Sequence, residues 1–343
     1  DDGRKINYII PLALMCFANF YIGFMICIFT ALYFAYYLFA GSDKLKHFRM
    51  KSKDLKAYGY SILRMFLCTV VALMMAAVLV LPVYNALALG KFNFTANPDY
   101  SFKLQFTPID FFAQIASVAQ YNSVNVQGMP EIYCGLITAL LLPLFFLNSK
   151  IPLRKKIGMG LLAAALFTSM YIRPVDMMWH GGQMPNWLPY RYSFMLSFII
   201  VALAAHCFEQ LKAVRARTVG AITLSYIALI IYTEAQDTFI TTLDSDGREV
   251  FDGITVALPA IVFMAVAGIT VYAARHYMKK SELPKTGVIL VTAVICAELC
   301  FNATNTLTKM HKDITFSTRD SYLSVILPLR EKVEEIKAQD DGF

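Results

Sequence analysis

Eight long apolar runs constrain this chain more than any other feature of its sequence. They cover residues 6–38, 60–89, 131–148, 157–172, 191–210, 218–235, 254–275 and 286–302. Since a helix rises about 1.5 Å per residue, about 20 apolar residues cross a hydrocarbon core of ~30 Å. Only 16% of the 343 residues are charged, whereas about a quarter are charged in soluble domains. We therefore predict an all-α, polytopic integral membrane bundle.

The first run is too long for one perpendicular span. The letters FANFY at 17–21 offer a break, which would produce a short helix, then a full one, and nine membrane helices in total. A single tilted or kinked span would give eight.

Segments rich in lysine and arginine alternate along the chain with loops that contain few of these residues. Segments 41–56, 149–156, 211–217 and 275–285 hold 6, 4, 3 and 4 of them, whereas loops 91–130, 173–190 and 236–253 hold 2, 1 and 1. By the positive-inside rule, the rich segments are cytoplasmic, and the poor loops and the C-terminus are external. Basic residues dispersed among short loops do not form a nucleic-acid surface, despite the net charge of +7. The expected location is the cell membrane.

The chain divides into two regions. Residues 1–305 are expected to form a transmembrane domain, and residues 306–343 the start of an external C-terminal region. Val333 and Ile336 lie among charges, a pattern typical of an amphipathic helix that needs a partner surface. The chain also begins DDGRK, without an initiator Met or a signal peptide. These features predict an internal piece of a longer protein.

No HExxH, Walker, CxxC or GxSxG motif occurs. The acidic loop 236–253 is interpreted as a solvated surface, because its spacing does not match a cation site. The polar stretch RPVDMMWHGGQMPNWLPYRYSF at 173–194 remains as the candidate site. Arg191 opens a membrane helix there, and a helix N-terminus near the lipid phosphates favours anions. Arg191 is therefore predicted either to bind a phosphate or to anchor the helix by snorkelling.

Other residues of this stretch have two interpretations each. Arg173 is a second phosphate candidate, or it pairs with Asp176. His180 acts in proton transfer or in a structural hydrogen bond. Asn186 touches substrate or caps a turn. The aromatic side chains form an interfacial belt or stack on a sugar; they are Trp179, Trp187, Tyr190 and Tyr192, and both tryptophans of the chain are among them.

Glu298 lies inside the last apolar run. Ionisable groups at membrane depth are costly and are functional candidates by default. Protonation, or pairing with Arg173 or Arg191, would relieve the cost.

Several stretches together resemble one family. HGGQMPNWLPYRYSFMLSF at 180–198 closely resembles the signature of the YfhO-like bacterial membrane proteins. NFYIGFMICIF at 19–29, PEIYCGLITALLLPLFF at 130–146 and ELCFNA at 298–303 resemble further blocks of that family in matching order. The resemblance extends from about residue 6 to about residue 330.

The resemblance implies a GT-C-type glycosyltransferase. Such an enzyme takes a sugar from undecaprenyl phosphate and adds it to teichoic or lipoteichoic acid on the external face. Its partners are a cytoplasmic synthase of the lipid-linked sugar and a flippase. The family's catalytic carboxylate is expected in a first outer loop upstream of this chain, so this piece alone is predicted to be inactive.

The resemblance also implies that the matching block 180–198 lines a substrate site, with Arg191, His180, Asn186, Trp187, Tyr190 and Tyr192 as its expected members. The residues themselves add Arg173, Asp176 and Glu298 to the candidate substrate site. A divalent cation is compatible with this enzyme class, although no metal ligands are identified. Two alternatives remain: a transporter or flippase of lipid-linked sugars, which needs a polar path through the membrane centre, and a non-catalytic scaffold for envelope assembly.

Overall fold

The computed structural model describes residues 5–41, 52–90, 99–116, 129–185, 189–236, 254–278, 282–313 and 318–339. Their helices are α1 (Ile6–Ala18), α2 (Phe20–Tyr36), α3 (Ser52–Gly90), α4 (Pro108–Ala116), α5 (Leu136–Leu147), α6 (Leu153–Tyr171), α7 (Arg173–Trp179), α8 (Ser193–Glu209), α9 (Ala216–Ala235), α10 (Ile254–Tyr277), α11 (Lys285–Asp313) and α12 (Arg319–Gln339). A π-helical turn at Tyr37–Gly41 extends α2, and a 3₁₀ turn at Leu211–Ala213 follows α8.

The predicted all-α polytopic fold is confirmed. Among the described residues, five helices are long and apolar enough to cross a membrane: Phe20–Ala40, Lys56–Ala86, Ala216–Ala235, Val256–Tyr277 and Lys285–Thr308. Helices α1, α5 and α8 are apolar but shorter. The chain is therefore a multi-pass membrane protein.

The first apolar run forms two helices, as FANFY predicted. Asn19 interrupts them in an extended conformation, with φ −155° and ψ 98°. Its side chain accepts hydrogen bonds of 3.1 Å from the backbone N–H groups of Tyr21 and Ile22. This N-cap satisfies donors that the new helix leaves free. Helix α2 passes close to the end of α1 at Gly23, where an added Cβ would lie only 2.8 Å from Cys16 Sγ.

Helix α8 lies near the centre of the bundle and packs against α5 and α6. Helix α5 also packs against α9 and α10, and its side chains Leu136, Leu140 and Leu144 are fully buried. A smaller core joins α1 to α3, where Ala72 and Ala76 are almost completely buried. Small residues at such a contact allow membrane helices to approach closely.

The described parts of the basic segments meet at one end of the bundle. Polar contacts join them, from Arg154 to the carbonyl of Phe39, from Asn148 to that of Gln210 (3.0 Å) and from Lys212 to that of His276 (3.2 Å). Lys155 Nζ also lies 2.6 Å from His206 Nε2. The segments that the charge pattern grouped together are thus neighbours in space.

Two predicted loops contain helices. The stretch 173–190, interpreted as a loop, begins with α7, whose start is favoured by Pro174 and by Asp176 in its first turn. The predicted loop 91–130 contains α4. Helix α11 runs from Lys285 to Asp313, and the division of the chain into two regions at 305/306 stays a prediction.

Candidate functional site

Two segments next to the candidate site, residues 99–106 and 172–185, contact each other. Leu104 forms an isolated antiparallel bridge with Ile172, and the backbone N–H of Arg173 donates to the carbonyl of Lys103 at 3.1 Å. The Tyr100 hydroxyl donates to the carbonyl of Gly182 at 2.7 Å. These contacts hold the stretch 173–185 against residues 99–106.

Arg173 pairs with Asp99, and not with Asp176 as one interpretation had it. Its Nη1 lies 2.8 Å from Asp99 Oδ2. Hydrogen bonds from Ser101, assisted by the charge of Arg173, lower the pKa of Asp99 to about 2. Arg173 therefore acts as a clasp between the two segments, while the Asp176 carboxylate accepts from the Tyr192 hydroxyl instead.

Asp176 is the centre of a buried polar network. Its Oδ1 accepts a 2.7 Å hydrogen bond from the Tyr192 hydroxyl, and His180 Nε2 lies 3.5 Å from the same oxygen. Trp179 stacks on the Tyr192 ring at 4.4 Å with an interplanar angle of 8°. Both rings are buried, with 3% and 0% of their surface exposed. They support the site from behind and leave no free face for a ligand.

Tyr190 is also packed inside the protein. It is 6% exposed and meets Phe106 edge-to-face at 6.0 Å. Its φ of +57° is uncommon for a residue with a side chain. Gly181 and Gly182, with φ values of +69° and +82°, supply the other left-handed positions of this path.

His180 and Arg191 converge on Tyr21, a residue that the sequence interpretation missed. The Tyr21 hydroxyl shares a hydrogen bond with His180 Nδ1. The Arg191 guanidinium carbon lies 5.2 Å from the centre of the Tyr21 ring, a cation–π contact. One signal was available, since Tyr21 belongs to the block NFYIGFMICIF and follows the predicted helix break.

Arg191, Tyr21 and His180 line a cavity of about 780 Å³. Its polar end also contains Asn19 and Gln183. Its other walls are mainly apolar and include Phe20, Phe24, Leu73 and Val80. The volume lies within the usual range for small-molecule pockets. The lining residues on α3 extend from Thr69 to Tyr84. Since each of these 15 residue steps rises about 1.5 Å, the cavity extends roughly 22 Å along α3.

Glu298 lies apart from this cavity. Its Oε1 accepts hydrogen bonds from the Tyr133 hydroxyl and, at 2.6 Å, from the backbone N–H of Leu136. Leu136 is the first residue of α5, so the carboxylate caps that helix from α11. These donors relieve the cost of burying the carboxylate.

The predicted site residues thus separate into groups. The structure brings Arg191 and His180 to the cavity, and it places Asp176, Tyr192 and Trp179 behind them. Asn186 and Trp187 lie outside the described residues. In the described part of the chain, no three His, Cys, Asp or Glu side chains are grouped to hold a metal ion.

Comparison with known proteins identifies one family. The family model described as "Bacterial membrane protein YfhO" matches residues 1–343. No curated protein and no solved structure matches the chain.

Proposed function

The chain belongs to the YfhO family of bacterial membrane proteins, and we propose that it forms part of a membrane glycosyltransferase. The sugar would pass from undecaprenyl phosphate to an envelope polymer, teichoic or lipoteichoic acid. One observation carries this proposal: a cavity with a guanidinium at one end and apolar walls along its length. The end that contains Arg191 would face the outside, as the charge pattern predicts.

The cavity suits a lipid-linked phosphate better than a soluble one. A phosphate placed at Arg191 would receive charge-assisted hydrogen bonds. The isoprenoid chain would then continue past Phe24, Leu73 and Val80, which a water-soluble donor does not need. A length of roughly 22 Å along α3 accommodates the sugar, the phosphate and the first isoprene units.

The chemistry is displacement at the anomeric carbon. An acceptor hydroxyl attacks, the bond from the sugar to the phosphate oxygen breaks, and the configuration inverts. Negative charge grows on the phosphate as it leaves, so a fixed cation beside it lowers the barrier. Arg191 supplies that cation in this proposal. The base for the acceptor would be a carboxylate of the kind that the family resemblance implies.

The surroundings of Glu298 weigh against the transporter alternative. A transporter of lipid-linked sugars needs polar groups along a path through the membrane centre. Glu298 was the intramembrane carboxylate that suggested such a path, and its contacts are those of a helix cap. Three polar lining residues of the cavity, Tyr21, His180 and Arg191, are instead grouped by direct contacts with one another.

The test compares Arg191→Ala, Arg191→Lys and a control in the protein as its host makes it. Arg217→Ala is the matched control, because Arg217 is exposed in the basic segment 211–217. Sugar on teichoic acid is measured by mass spectrometry, and protein amounts by immunoblot of membranes. Arg191→Ala is expected to lower transfer by about 10²–10³-fold. Arg191→Lys should retain partial activity if charge alone matters, and little if the bidentate fork is needed.

Normal glycosylation by Arg191→Ala at a normal protein level would refute the phosphate role. Purified protein in liposomes separates the two functions. Translocation of undecaprenyl phosphate–glucose without modification of an acceptor would favour the transporter.

A further inference from the structure

A chain of polar groups leads from the protein interior to the cavity beside Arg191. Asp176 Oδ1 lies 3.5 Å from His180 Nε2, and His180 Nδ1 is hydrogen-bonded to the Tyr21 hydroxyl. The side chains of Asp176 and His180 are 4% and 1% exposed. Tyr21 lines the cavity, so its hydroxyl is the outer end of the chain.

The direction of proton donation follows from the buried carboxylate. An ionised Asp176 needs compensation, and the Tyr192 hydroxyl gives it only one neutral donor. In the arrangement that we infer, His180 Nε2–H faces Asp176 Oδ1 across 3.5 Å, longer than a regular hydrogen bond, and Nδ1–H is donated to the Tyr21 oxygen. The Tyr21 proton is then left to point into the cavity, where Arg191 lies over the same ring.

We propose that Tyr21 is a catalytic residue that donates a proton to the phosphate as it leaves the sugar, with His180 and Asp176 as its positioning residues. This inference rests on the proposed function. Tyr21 was not among the predicted site residues. Asp176 was predicted to bind substrate, and its role here is to position His180.

The step balances without a co-reactant. The acceptor oxygen forms its bond to the anomeric carbon, and the electron pair of the breaking bond goes to the phosphate oxygen. The Tyr21 proton moves to that oxygen, while the His180 Nδ1 proton moves to Tyr21. His180 becomes neutral and regains a proton from solvent after the products leave. The acceptor's own proton goes to the base.

The groups that face His180 come from three parts of the fold. Tyr21 approaches from α2, Asp176 from α7, and Tyr192 from the turn before α8. Arg191 lies on the far side of the Tyr21 ring.

The decisive variant is Tyr21→Phe, which keeps the ring beneath Arg191 and removes only the hydroxyl. Tyr33→Phe is its control, because Tyr33 lies on the same helix and is 39% exposed. The protein as its host makes it is purified and assayed with undecaprenyl phosphate–glucose, with the N-acetylglucosamine and galactose analogues, and with teichoic acid as acceptor. Tyr21→Phe is expected to lower kcat by about 10²-fold or more, with the donor KM changed little.

Two further measurements distinguish proton donation from a structural role. With a phosphorothioate donor, whose leaving anion is less basic, the loss in Tyr21→Phe should shrink by at least tenfold. In His180→Gln, kcat with the phosphate donor should also be low, and that loss should shrink with the phosphorothioate donor in the same way.

The outcomes separate the two proposals. Absence of transfer by the wild type with every donor would overturn the proposed function and the proton step together. Transfer by the wild type, with Tyr21→Phe equal to Tyr33→Phe, would overturn the proton step alone. An equal loss with phosphate and phosphorothioate donors would also overturn it.

Discussion

Glu298→Ala is expected to destabilise the bundle, because it removes the cap of a helix that begins inside the protein. Two donors would lose their acceptor, the Tyr133 hydroxyl and the backbone N–H of Leu136. Leu136 is fully buried, and Glu298 is 2% exposed. The backbone N–H of Leu136 therefore cannot turn to water without local opening, and the half-buried Tyr133 hydroxyl can do so only in part. The first peptide group of α5 would remain unsatisfied in an apolar environment.

The magnitude follows from these two donors. An unsatisfied buried donor costs about 1–3 kcal/mol, so two set an upper value of about 6 kcal/mol. Hydrogen bonds in a membrane protein average about 0.6 kcal/mol in double-mutant cycles, so two set a lower value of about 1.2 kcal/mol. We expect a loss of about 2–4 kcal/mol, between these limits. Glu298→Gln should cost about 1 kcal/mol, because its amide oxygen still accepts one hydrogen bond.

The assay is reversible unfolding in mixed micelles with increasing SDS, followed by circular dichroism. Thr304→Ala is the control on the same helix. Its hydroxyl is exposed and donates only to the carbonyl of Cys300, at 2.9 Å, so a change within about 0.5 kcal/mol is expected. Glu298→Ala, Tyr133→Phe and the double variant complete a cycle, and the two single effects should not add.

A Glu298→Ala protein as stable as Thr304→Ala would refute the capping argument. If that protein also lost glycosyl transfer, the original functional interpretation of Glu298 would return.

Other predictions concern packing and charge. Gly268→Ala should cost about 1–3 kcal/mol in the same unfolding assay, because its Cβ would lie 2.5 Å from Thr223 Cγ2. Gly220→Ala on the facing helix α9 should be neutral or stabilise by up to about 1 kcal/mol, since nothing lies within 4 Å of its Cβ; equal losses for the two would contradict this packing. Because the pKa of Asp99 is lowered to about 2, the stability that its pairing contributes should be complete above about pH 4. It should be lost only as the pH falls towards 2, which a carboxyl NMR titration can follow; a midpoint near 4 would argue against the hydrogen bonds from Ser101 and the added charge of Arg173.

Local pattern was enough to predict much of this protein. Long apolar runs require helices in a membrane, because lipid offers no partners for free backbone groups. The break at FANFY was readable because Asn caps a helix through contacts two and three residues away. The start of α8 next to Arg191 was also predictable from the sequence, because the apolar run of this helix directly follows a polar stretch.

The partners of the polar side chains were not readable in this way. Arg173 and Asp176 are close in sequence, but one turns to Asp99 and the other to Tyr192. Tyr21 meets His180 across 159 positions, and Glu298 meets Leu136 across 162. A charge in an apolar run reveals that a partner is needed but not which one.

The sequence by itself determined the class of fold and the positions of the long apolar helices along the chain. These follow from hydrophobic burial in the membrane, which acts over a few residues or one span. The tertiary structure alone decided that Glu298 caps α5, that Trp179 and Tyr192 support the site from behind, and that Tyr21 shares the cavity with His180 and Arg191. Hydrogen bonds need atoms within about 3 Å, and only the packing of distant helices sets that distance.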